Sequence, residues 1–203
     1  MDLKGKKVLV FGAGKSGIGA ADLLGSVGAQ PIIYDGNENL DKEAVLHKTN
    51  GTYTPEIWAG DFPERALDSL DLIVLSPGVP TDLPLVKSFY EKGLPVWSEV
   101  ELAYRTGKGE VLAITGTNGK TTTTALLGKI MGDARESVFV VGNIGTAYTS
   151  KSLEMREDSV TVAEISSFQL ETIEQFRPKV SAILNITEDH LNRHHTMEEY
   201  IRV

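Results

Sequence analysis

Short apolar runs alternate with helix-like patterns along the first half of the chain. The run KVLVF at 7–11 predicts a buried strand, and the spacing of Ile18, Ala21 and Leu24 predicts one buried stripe of a helix. Strands that alternate with helices indicate a parallel sheet with right-handed crossovers. The predicted strands of this half are 7–11, 31–34 and 72–75, and the predicted helices are 16–27 and 82–92.

A second series of the same kind follows a short connector. Within the connector, Ser98 and Glu101 have the spacing of a capping box, which predicts a helix over 98–105. The second series is predicted to contain strands at 111–115, 138–141, 159–165 and 180–186 and a helix at 120–131. We therefore predict an α/β protein of two domains, at 1–95 and 96–203.

Composition and charge exclude several classes of protein. The 203 residues contain no Cys, which excludes disulfides, thiolate zinc sites and a Cys nucleophile. No apolar run reaches the ~18–20 residues of a membrane span, and the run from Val8 to Phe11 is shorter than the ~7–15 residues of a signal peptide. A net charge of −8 argues against nucleic-acid binding. These features predict a cytoplasmic protein with no nucleic-acid or membrane partner.

A glycine-rich loop follows the first predicted strand. It contains Gly12, Gly14 and Gly17 in the order G-x-G-x-x-G, it opens a helix, and Asp35 ends the next strand. In dinucleotide-binding folds, such glycines let the backbone approach an anion at the helix N-terminus, and the acid binds a ribose hydroxyl. The pattern predicts a Rossmann-like domain that binds a nucleotide or a nucleotide-sugar. A tight structural turn is the alternative.

A second loop, TGTNGKTT at 115–122, also follows a strand and opens a helix. Neither loop completes the G-x-x-x-x-G-K-[ST] pattern, but successive backbone amides in this one form an anion cradle. Lys120 is placed to reach phosphate oxygens, and the Thr121 hydroxyl is placed to bind Mg²⁺. We predict a P-loop α/β domain with ATP and Mg²⁺ as cofactors. The predicted ATP-binding residues are Gly116, Thr117, Asn118, Gly119, Lys120, Thr121 and Thr122.

Acidic and polar residues follow two later strands. Glu164 ends a predicted strand, where a carboxylate faces the ligand crevice of an open α/β sheet, although a solvent-facing strand end is the alternative. Three of the four His residues lie after the last predicted strand. Of these, His190 is a candidate ligand for a hard cation or a phosphate. A zinc pair of His190 and His194 is a weaker alternative, because the glutamate of H-E-x-x-H is missing. His195 and His47 fit surface positions.

Three of these segments together resemble the ATP-dependent Mur ligase family, which builds the peptide stem of bacterial peptidoglycan. They are TGTNGKTT at 115–122, EISSFQLE at 164–171 and NITEDHLNRH at 185–194, and the resemblance extends along the whole chain in order. Mur ligases have three domains. The resemblance implies a Rossmann-like UDP-binding domain at 1–95, a partial P-loop ATPase domain at 96–203, and an absent C-terminal domain.

The resemblance also implies a reaction and its partners. The carboxylate of UDP-N-acetylmuramoyl-L-alanine would attack the γ-phosphoryl group of ATP, and the amine of D-glutamate would then attack the acyl phosphate. Mg²⁺ and Lys120 would offset the repulsion between the two anions that meet in the first step. Lys120 and His190 are the implied catalytic residues.

Individual site residues carry over from the family by position. Thr121 and Glu164 are the implied ligands of the ATP-bound Mg²⁺, and His190 is the implied ligand of a second Mg²⁺. Asn192 stands where the family has Asp, so one carboxylate near the site is missing. A carbamylated lysine of the family would fall immediately after Val203. The implied substrate-binding residues are Lys15, Ser16, Asp35, Gly36, Asn37, Gly78, Asn143, Ser166, Gln169 and His190.

Other functions fit parts of the sequence. An NAD-dependent oxidoreductase would explain the first loop and leave the second unexplained. Another Mur ligase or a folylpolyglutamate-type ligase would share the ATP loop, although Asp35 and the SSFQLE segment favour the reaction with D-glutamate. A binding fragment without catalysis is a further alternative. We expect the 203 residues alone not to ligate, because the domain that would bring D-glutamate is absent. The oligomeric state is left open.

Overall fold

The chain forms two compact units in the computed structural model, which describes residues 2–143 and 145–203. The first unit extends to Leu102, and the second runs from Ala103 to Val203. Each unit is built around one sheet in which all described strand pairs are parallel. This architecture confirms the predicted α/β fold class.

The first unit contains a five-stranded sheet in the order β3-β2-β1-β4-β5. Its strands are β1 (Lys7–Phe11), β2 (Gln30–Asp35), β3 (Glu56–Ala59), β4 (Leu72–Leu75) and β5 (Val96–Ser98). Its helices are α1 (Lys15–Ser26), α2 (Lys42–Lys48), α3 (Pro84–Glu91) and α4 (Glu99–Thr106), the last of which extends past Leu102. A boundary between residues 95 and 96 falls just before β5, and the assignment of domains at 1–95 and 96–203 stays a prediction.

Both faces of the first sheet are covered. In the central strand β1, Val8 and Val10 join one buried cluster with Leu24 of α1, whereas Leu9 joins a second cluster with Phe89 of α3. Side chains of successive strand residues point to opposite faces, so a strand covered on both sides must be apolar throughout. The apolar run from Val8 to Phe11 fits this position, and the strand at 7–11 was predicted with its observed ends.

The order of the first sheet places a crevice between β1 and β4. The chain moves outward from β1 through β2 to β3, and then continues on the other side of β1 with β4 and β5. Loops that leave two neighbouring strands in opposite directions open a crevice at their carboxyl ends, and ligands of open α/β sheets bind there. The loop after β1 is the predicted glycine-rich loop.

The second unit contains a four-stranded sheet in the order β7-β8-β6-β9. Its strands are β6 (Glu110–Thr115), β7 (Val138–Gly142), β8 (Val160–Glu164) and β9 (Val180–Ile183), and its helices are α5 (Lys120–Ala134), α6 (Ser167–Leu170), α7 (Leu191–His194) and α8 (Met197–Arg202). All five residues of β8 are buried, whereas Val180 and Ile183 of the edge strand β9 are 59% and 64% exposed. β6 and β8 are neighbours, which brings the phosphate loop and Glu164 to one end of the sheet.

Most predicted elements are present, with two kinds of difference. Sequence reasoning missed α2, β3 and the short helices α6, α7 and α8, which have too few residues for a clear period. The last strand was predicted to reach residue 186 but ends at Ile183, because Leu184 and Asn185 turn toward the phosphate loop. Over the described residues, we find no helix with the length and apolar character needed to cross a membrane.

Candidate functional site

The carboxylate of Asp35 organises the glycine-rich loop of the first unit. One of its oxygens accepts the N–H of Ala13 at 3.0 Å, and the other accepts the N–H of Asn37 at 3.0 Å. Asp35 therefore links the loop after β1 to the loop after β2. Its remaining lone pairs can still accept a ribose hydroxyl.

The loop itself packs too closely for any residue but glycine at one position. A Cβ atom on Gly17 would lie 1.8 Å from the carbonyl oxygen of Gly12. Lys15 and Ser16 form the first turn of α1, at whose start Gly14 makes no side-chain cap hydrogen bond. The first N–H groups of a helix have no acceptor within the helix, and they can donate to an anion. The structure thus brings the predicted loop residues to the crevice end of β1.

The predicted residue Gly78 lies on the other side of this crevice. It is exposed in the turn after β4, and the Oγ of Ser76 in the same turn donates to the Gly12 carbonyl at 3.3 Å. The loops after β1 and β4 are therefore in direct contact. The turn that contains Gly78 therefore contacts the glycine-rich loop through Ser76, and a role of Gly78 in ligand binding stays a prediction.

A wide cleft of about 890 Å³ opens beside Gly36. Of the described residues that line it, Glu38, Asp61 and Glu64 are acidic and none is basic. Burial, followed by the charges of Asp35 and Asp61, raises the pKa of Tyr34, whose hydroxyl donates to the Gly60 carbonyl at 3.0 Å. This acidic lining does not suit a diphosphate, which favours the amide-rich glycine loop for the phosphates.

Asn185 fixes the start of the phosphate loop in the second unit. Its backbone carbonyl accepts the N–H of Thr117 at 2.9 Å, and its side chain both accepts from the N–H and donates to the carbonyl of Asn118, each at 2.9 Å. Leu184 aligns this contact, because its N–H donates to the Thr115 carbonyl at 3.0 Å. These bonds occupy the amides of Thr117 and Asn118, so these two amides are not donors to a phosphate here.

The remaining loop amides belong to the first turn of α5. Gly119 is the N-cap of that helix and Lys120 its first residue. The first four N–H groups of a helix have no acceptor within the helix, and they are the donors that bind anions. The Nζ of Lys120 donates to the carbonyls of Gly116 at 2.7 Å and Thr117 at 3.0 Å. The ammonium group of Lys120 therefore lies against the loop at 115–122.

Glu164 lies beside this loop at the end of β8. Glu164 is 2% exposed, and its Oε1 accepts a hydrogen bond from the Nδ2 of Asn143 at 3.3 Å. The backbone allows this approach because Gly142, at φ 125°, has no Cβ; one added there would lie 2.0 Å from the Glu164 carbonyl oxygen. Two predicted site residues, Glu164 and Asn143, are thus in direct contact. Residue 144 lies outside the described residues.

A cleft of about 320 Å³ joins the phosphate loop to Glu164 and Asn143. Thr121 and Glu164 contribute hydroxyl and carboxylate oxygens to it, and these are the hard ligands that Mg²⁺ prefers. Among the described residues, no three His, Asp or Glu side chains converge as a metal cluster, so a cation here would take further ligands from phosphate or water. The cleft is lined by Thr117, Asn118, Gly119, Lys120, Thr121, Thr122, Asn143 and Glu164.

His190 is not among the residues that line this cleft. Its side chain is 47% exposed, its ring centroid lies 4.9 Å from that of Phe168, and its Nε2 is 3.4 Å from a carboxylate oxygen of Asp189. It has the left-handed backbone conformation, with φ at 53°. Its role as a metal ligand and catalytic residue stays a prediction.

Ser166 and Gln169 form a capping box at the start of α6. The Oε1 of Gln169 accepts from the backbone N–H of Ser166 at 2.8 Å, and the Oγ of Ser166 accepts from the N–H of Gln169 at 3.4 Å. Gln169 is 2% exposed. The pair therefore has a structural role that sequence reasoning missed, and its predicted contact with substrate stays a prediction.

Thr117 connects the phosphate loop to two distant segments. Its Oγ1 donates to the Thr187 carbonyl at 3.1 Å, accepts from the Thr187 N–H at 3.0 Å, and lies 3.0 Å from the Oη of Tyr200. Together with Asn185, these residues support the loop and were not predicted. Their contacts span 67 to 83 residues of sequence, so no local pattern marks them.

Two family models match the chain in order. The first, described as Mur ligase MurD-like, N-terminal domain, matches residues 6–98, and the second, described as Mur ligase middle domain, matches residues 114–203. Each of them contains one of the two glycine-rich loops. The predicted resemblance is thereby confirmed for both halves of the sequence.

Two relatives are similar over almost the whole chain. A UDP-N-acetylmuramoylalanine–D-glutamate ligase of Lachnospira eligens is 62% identical over 200 residues, which cover 98% of this chain and 44% of that protein. The enzyme of the same name from Lachnoclostridium phytofermentans is 59% identical over 201 residues, which cover 99% of this chain and 44% of that protein. The chain thus spans less than half the length of these relatives.

A solved structure shares the fold. It is the UDP-N-acetylmuramate:L-alanyl-gamma-D-glutamyl-meso-diaminopimelate ligase of Neisseria meningitides, with a TM-score of 0.55 and 18% identity over 96% of this chain and 65% of that one. At this identity the likeness concerns the fold alone. With both family models matched in sequence order and relatives this similar along its length, the chain belongs to the Mur ligase family.

Proposed function

We propose that this chain is the nucleotide-binding part of an ATP-dependent ligase that joins D-glutamate to UDP-N-acetylmuramoyl-L-alanine in the cytoplasm. The observation that carries the proposal is the cleft of about 320 Å³ that brings Lys120 and Thr121 together with Glu164 and Asn143. Relatives of 62% and 59% identity bear the name of such a ligase, which supports the choice of substrates. Because the chain spans 44% of those relatives, the activity is proposed for the protein that contains it.

The two units have different proposed ligands. Within 1–95, the loop from Gly12 to Gly17, with Asp35 and Gly78 beside it, would hold the UDP group. Within 96–203, the first turn of α5 would hold the phosphates of ATP. The residues proposed to contact the UDP-sugar substrate are Lys15, Ser16, Asp35, Gly36, Asn37, Gly78, Asn143, Ser166, Gln169 and His190.

Charge neutralisation is the main task of the residues around the ATP cleft. The substrate carboxylate and the γ-phosphoryl group are both anionic, so their approach needs positive charge between them. The Lys120 ammonium supplies one charge, and the α5 amides add oriented donors. Bound Mg²⁺, held by Thr121 and Glu164, would supply Lewis-acid stabilisation of the phosphates. His190 would act near the substrate carboxylate.

The proposed reaction proceeds in two steps. A carboxylate oxygen forms a bond to the γ-phosphorus of ATP, and the bond to ADP breaks. The amine of D-glutamate then forms a bond to the acyl carbon, inorganic phosphate leaves, and the amine loses a proton. ATP is thus required because a free carboxylate is a poor acyl donor.

Ligand titrations test this proposal against an oxidoreductase. Calorimetry of the 203-residue chain with UDP, with an ATP analogue plus Mg²⁺, and with NADH should detect the first two ligands. Binding of NADH without UDP would contradict the proposal. The complete gene product should in addition release ADP over many turnovers only when D-glutamate and UDP-N-acetylmuramoyl-L-alanine are both present, and multiple-turnover ADP release without D-glutamate would overturn the assigned reaction.

A further inference from the structure

A nearly buried ion pair lies outside the ATP cleft. The guanidinium of Arg193 donates to both carboxylate oxygens of Glu171, from Nε at 2.9 Å and from Nη2 at 2.6 Å. The two side chains are 11% and 7% exposed, respectively. Such bidentate geometry fixes the orientation of both partners as well as their distance.

Aromatic contacts extend this pair into an interlock between α6 and α7. The guanidinium carbon of Arg193 lies 5.0 Å from the ring centroid of Phe168. The same Phe168 ring lies 4.9 Å from the ring of His190 and 5.5 Å from that of His194. The Nε2 of His194 is 2.8 Å from the Oγ of Ser167, and the His194 side chain is 1% exposed. We call Ser167, Phe168, Glu171, Arg193 and His194 the α6–α7 interlock.

The interlock contains the ring that packs against His190. Helix α6 starts three residues after Glu164, and helix α7 starts directly after His190. His190 is half exposed and has a left-handed φ of 53°, so neither its own burial nor its intrinsic backbone preference holds it in place. The ring of His190 contacts Phe168 of α6 in addition to Asp189, and the ion pair of Arg193 with Glu171 joins α7 to α6.

We propose that Glu171 and Arg193 are positioning residues that hold the imidazole of His190 for the ligation reaction, an inference that rests on the proposed function. Stability alone is a weak reason for this pair, because replacing a buried ion pair by apolar residues is often neutral or stabilising. A fixed geometry is what the bidentate contact provides. In a reacting site, displacement of one group by about 1 Å costs up to ~10²-fold in rate.

NMR of the 203-residue chain tests the positioning without any reaction. Cross-relaxation between the ring protons of Phe168 and His190, with His190 assigned from His190→Ala, should be strong in the native sequence and lost in Glu171→Gln. Glu154→Gln is the matched control, because Glu154 forms an exposed pair with Lys151 in the same unit. If Glu171→Gln does not fold, Arg193→Lys keeps the charge and removes the fork, and it should weaken the same signals. Unchanged signals in the folded variants would overturn the inference.

Kinetics of the complete gene product test the consequence. Glu171→Gln should lower kcat by about 10- to 100-fold and leave the KM for ATP within about threefold, because the ATP loop lies outside the interlock. In a His190→Ala background, Glu171→Gln should have no further effect on kcat. An equal further loss in that background would overturn the inference. A native protein that fails to ligate would refute the proposed function, whereas the NMR result would still decide whether the pair positions His190.

Discussion

The two glycine-rich loops of this chain share a local design and differ in what surrounds them. Both follow a parallel strand, contain Gly-Lys followed by a hydroxyl residue, and open a helix. In the first unit, the Asp35 carboxylate accepts the N–H of Ala13 in the glycine-rich loop and the N–H of Asn37 in the loop after β2. In the second unit, Asn185, which follows β9, binds the backbone of the loop, and the carboxylate of Glu164 lines the cleft beside the loop.

The two loops are therefore held by side chains of different charge. A neutral amide from Asn185 holds the second loop through both a donor and an acceptor, and adds no negative charge beside the phosphates. Asp35 places a full negative charge against the first loop, which suits a ligand with hydroxyl groups at that point. Strand β8, by contrast, ends in Glu164, whose carboxylate lines the cleft beside the second loop.

The largest expected effect is the loss of one cationic side chain. Lys120→Ala should weaken binding of the ATP analogue with Mg²⁺ by about 10- to 100-fold, because hydrogen bonds to charged groups contribute about 1.5–3 kcal/mol. UDP affinity should not change. Calorimetry of the 203-residue chain measures both, and Lys15→Ala in the first loop is the reciprocal control. Loss of both ligands from either variant would mean that the two loops are wrongly assigned.

The next effect concerns the support of the second loop. Asn185→Ala removes the two side-chain hydrogen bonds to Asn118 and should weaken binding of the ATP analogue about tenfold, at ~0.5–1.5 kcal/mol for each bond. The exposed Asn192 offers a matched control, and Asn192→Ala should leave the affinity unchanged. If Asn185→Ala binds the analogue as tightly as the native chain, the loop holds its shape without this contact.

Sequence reasoning succeeded where the signal was local and failed where it was distant. The strands KVLVF and LIVL were predicted with their observed ends, because each contains an apolar run of four residues, as a strand buried on both faces requires. The loop at 115–122 and the strand-end position of Glu164 were predicted from short patterns. Asn185 and Tyr200 could not be predicted, because they meet the loop only after 67 and 83 residues of intervening chain have folded.

The capping box of α6 shows a second reason for incomplete prediction. The family resemblance implied Ser166 and Gln169 as substrate-binding residues, and the structure shows that they satisfy each other's hydrogen bonds. Polar residues such as Ser and Gln can bind a ligand or cap a helix, and the sequence alone does not distinguish these two roles. Contacts in the folded chain identify the structural role first.

A smaller effect is expected for the anchor of the first loop. Asp35→Asn keeps one oxygen acceptor and replaces the other with a donor, which would face the N–H of Ala13 or Asn37. We expect UDP affinity to fall about three- to tenfold and the affinity for the ATP analogue to stay unchanged, since about 1 kcal/mol is lost with one hydrogen bond. Paired titrations of the same sample provide the measurement. A fall in both affinities would show that the two loops do not act separately.

The smallest expected effect is a difference in pH dependence between the units. Burial lowers the pKa of His194 from its usual 6.5, an effect that Glu171 opposes and Arg193 reinforces. As the pH falls below about 6.5, the unfolded chain takes up a proton that the folded second unit does not, so stability is lost. In the first unit, the hydrogen bond from Lys6 lowers the pKa of Asp71 from 3.8, so its contribution is lost only at more acidic pH.

Urea unfolding at pH 7.5 and pH 5.5 separates these two contributions. Both Trp residues, Trp58 and Trp97, lie in the first unit, so their fluorescence follows that unit, whereas circular dichroism follows both. We expect the fluorescence midpoint to stay nearly constant and the dichroism transition to move to lower urea at pH 5.5. His194→Gln should remove most of that movement, because the variant side chain does not titrate. An equal shift in both signals, unaffected by His194→Gln, would show that the acid sensitivity originates outside the α6–α7 interlock.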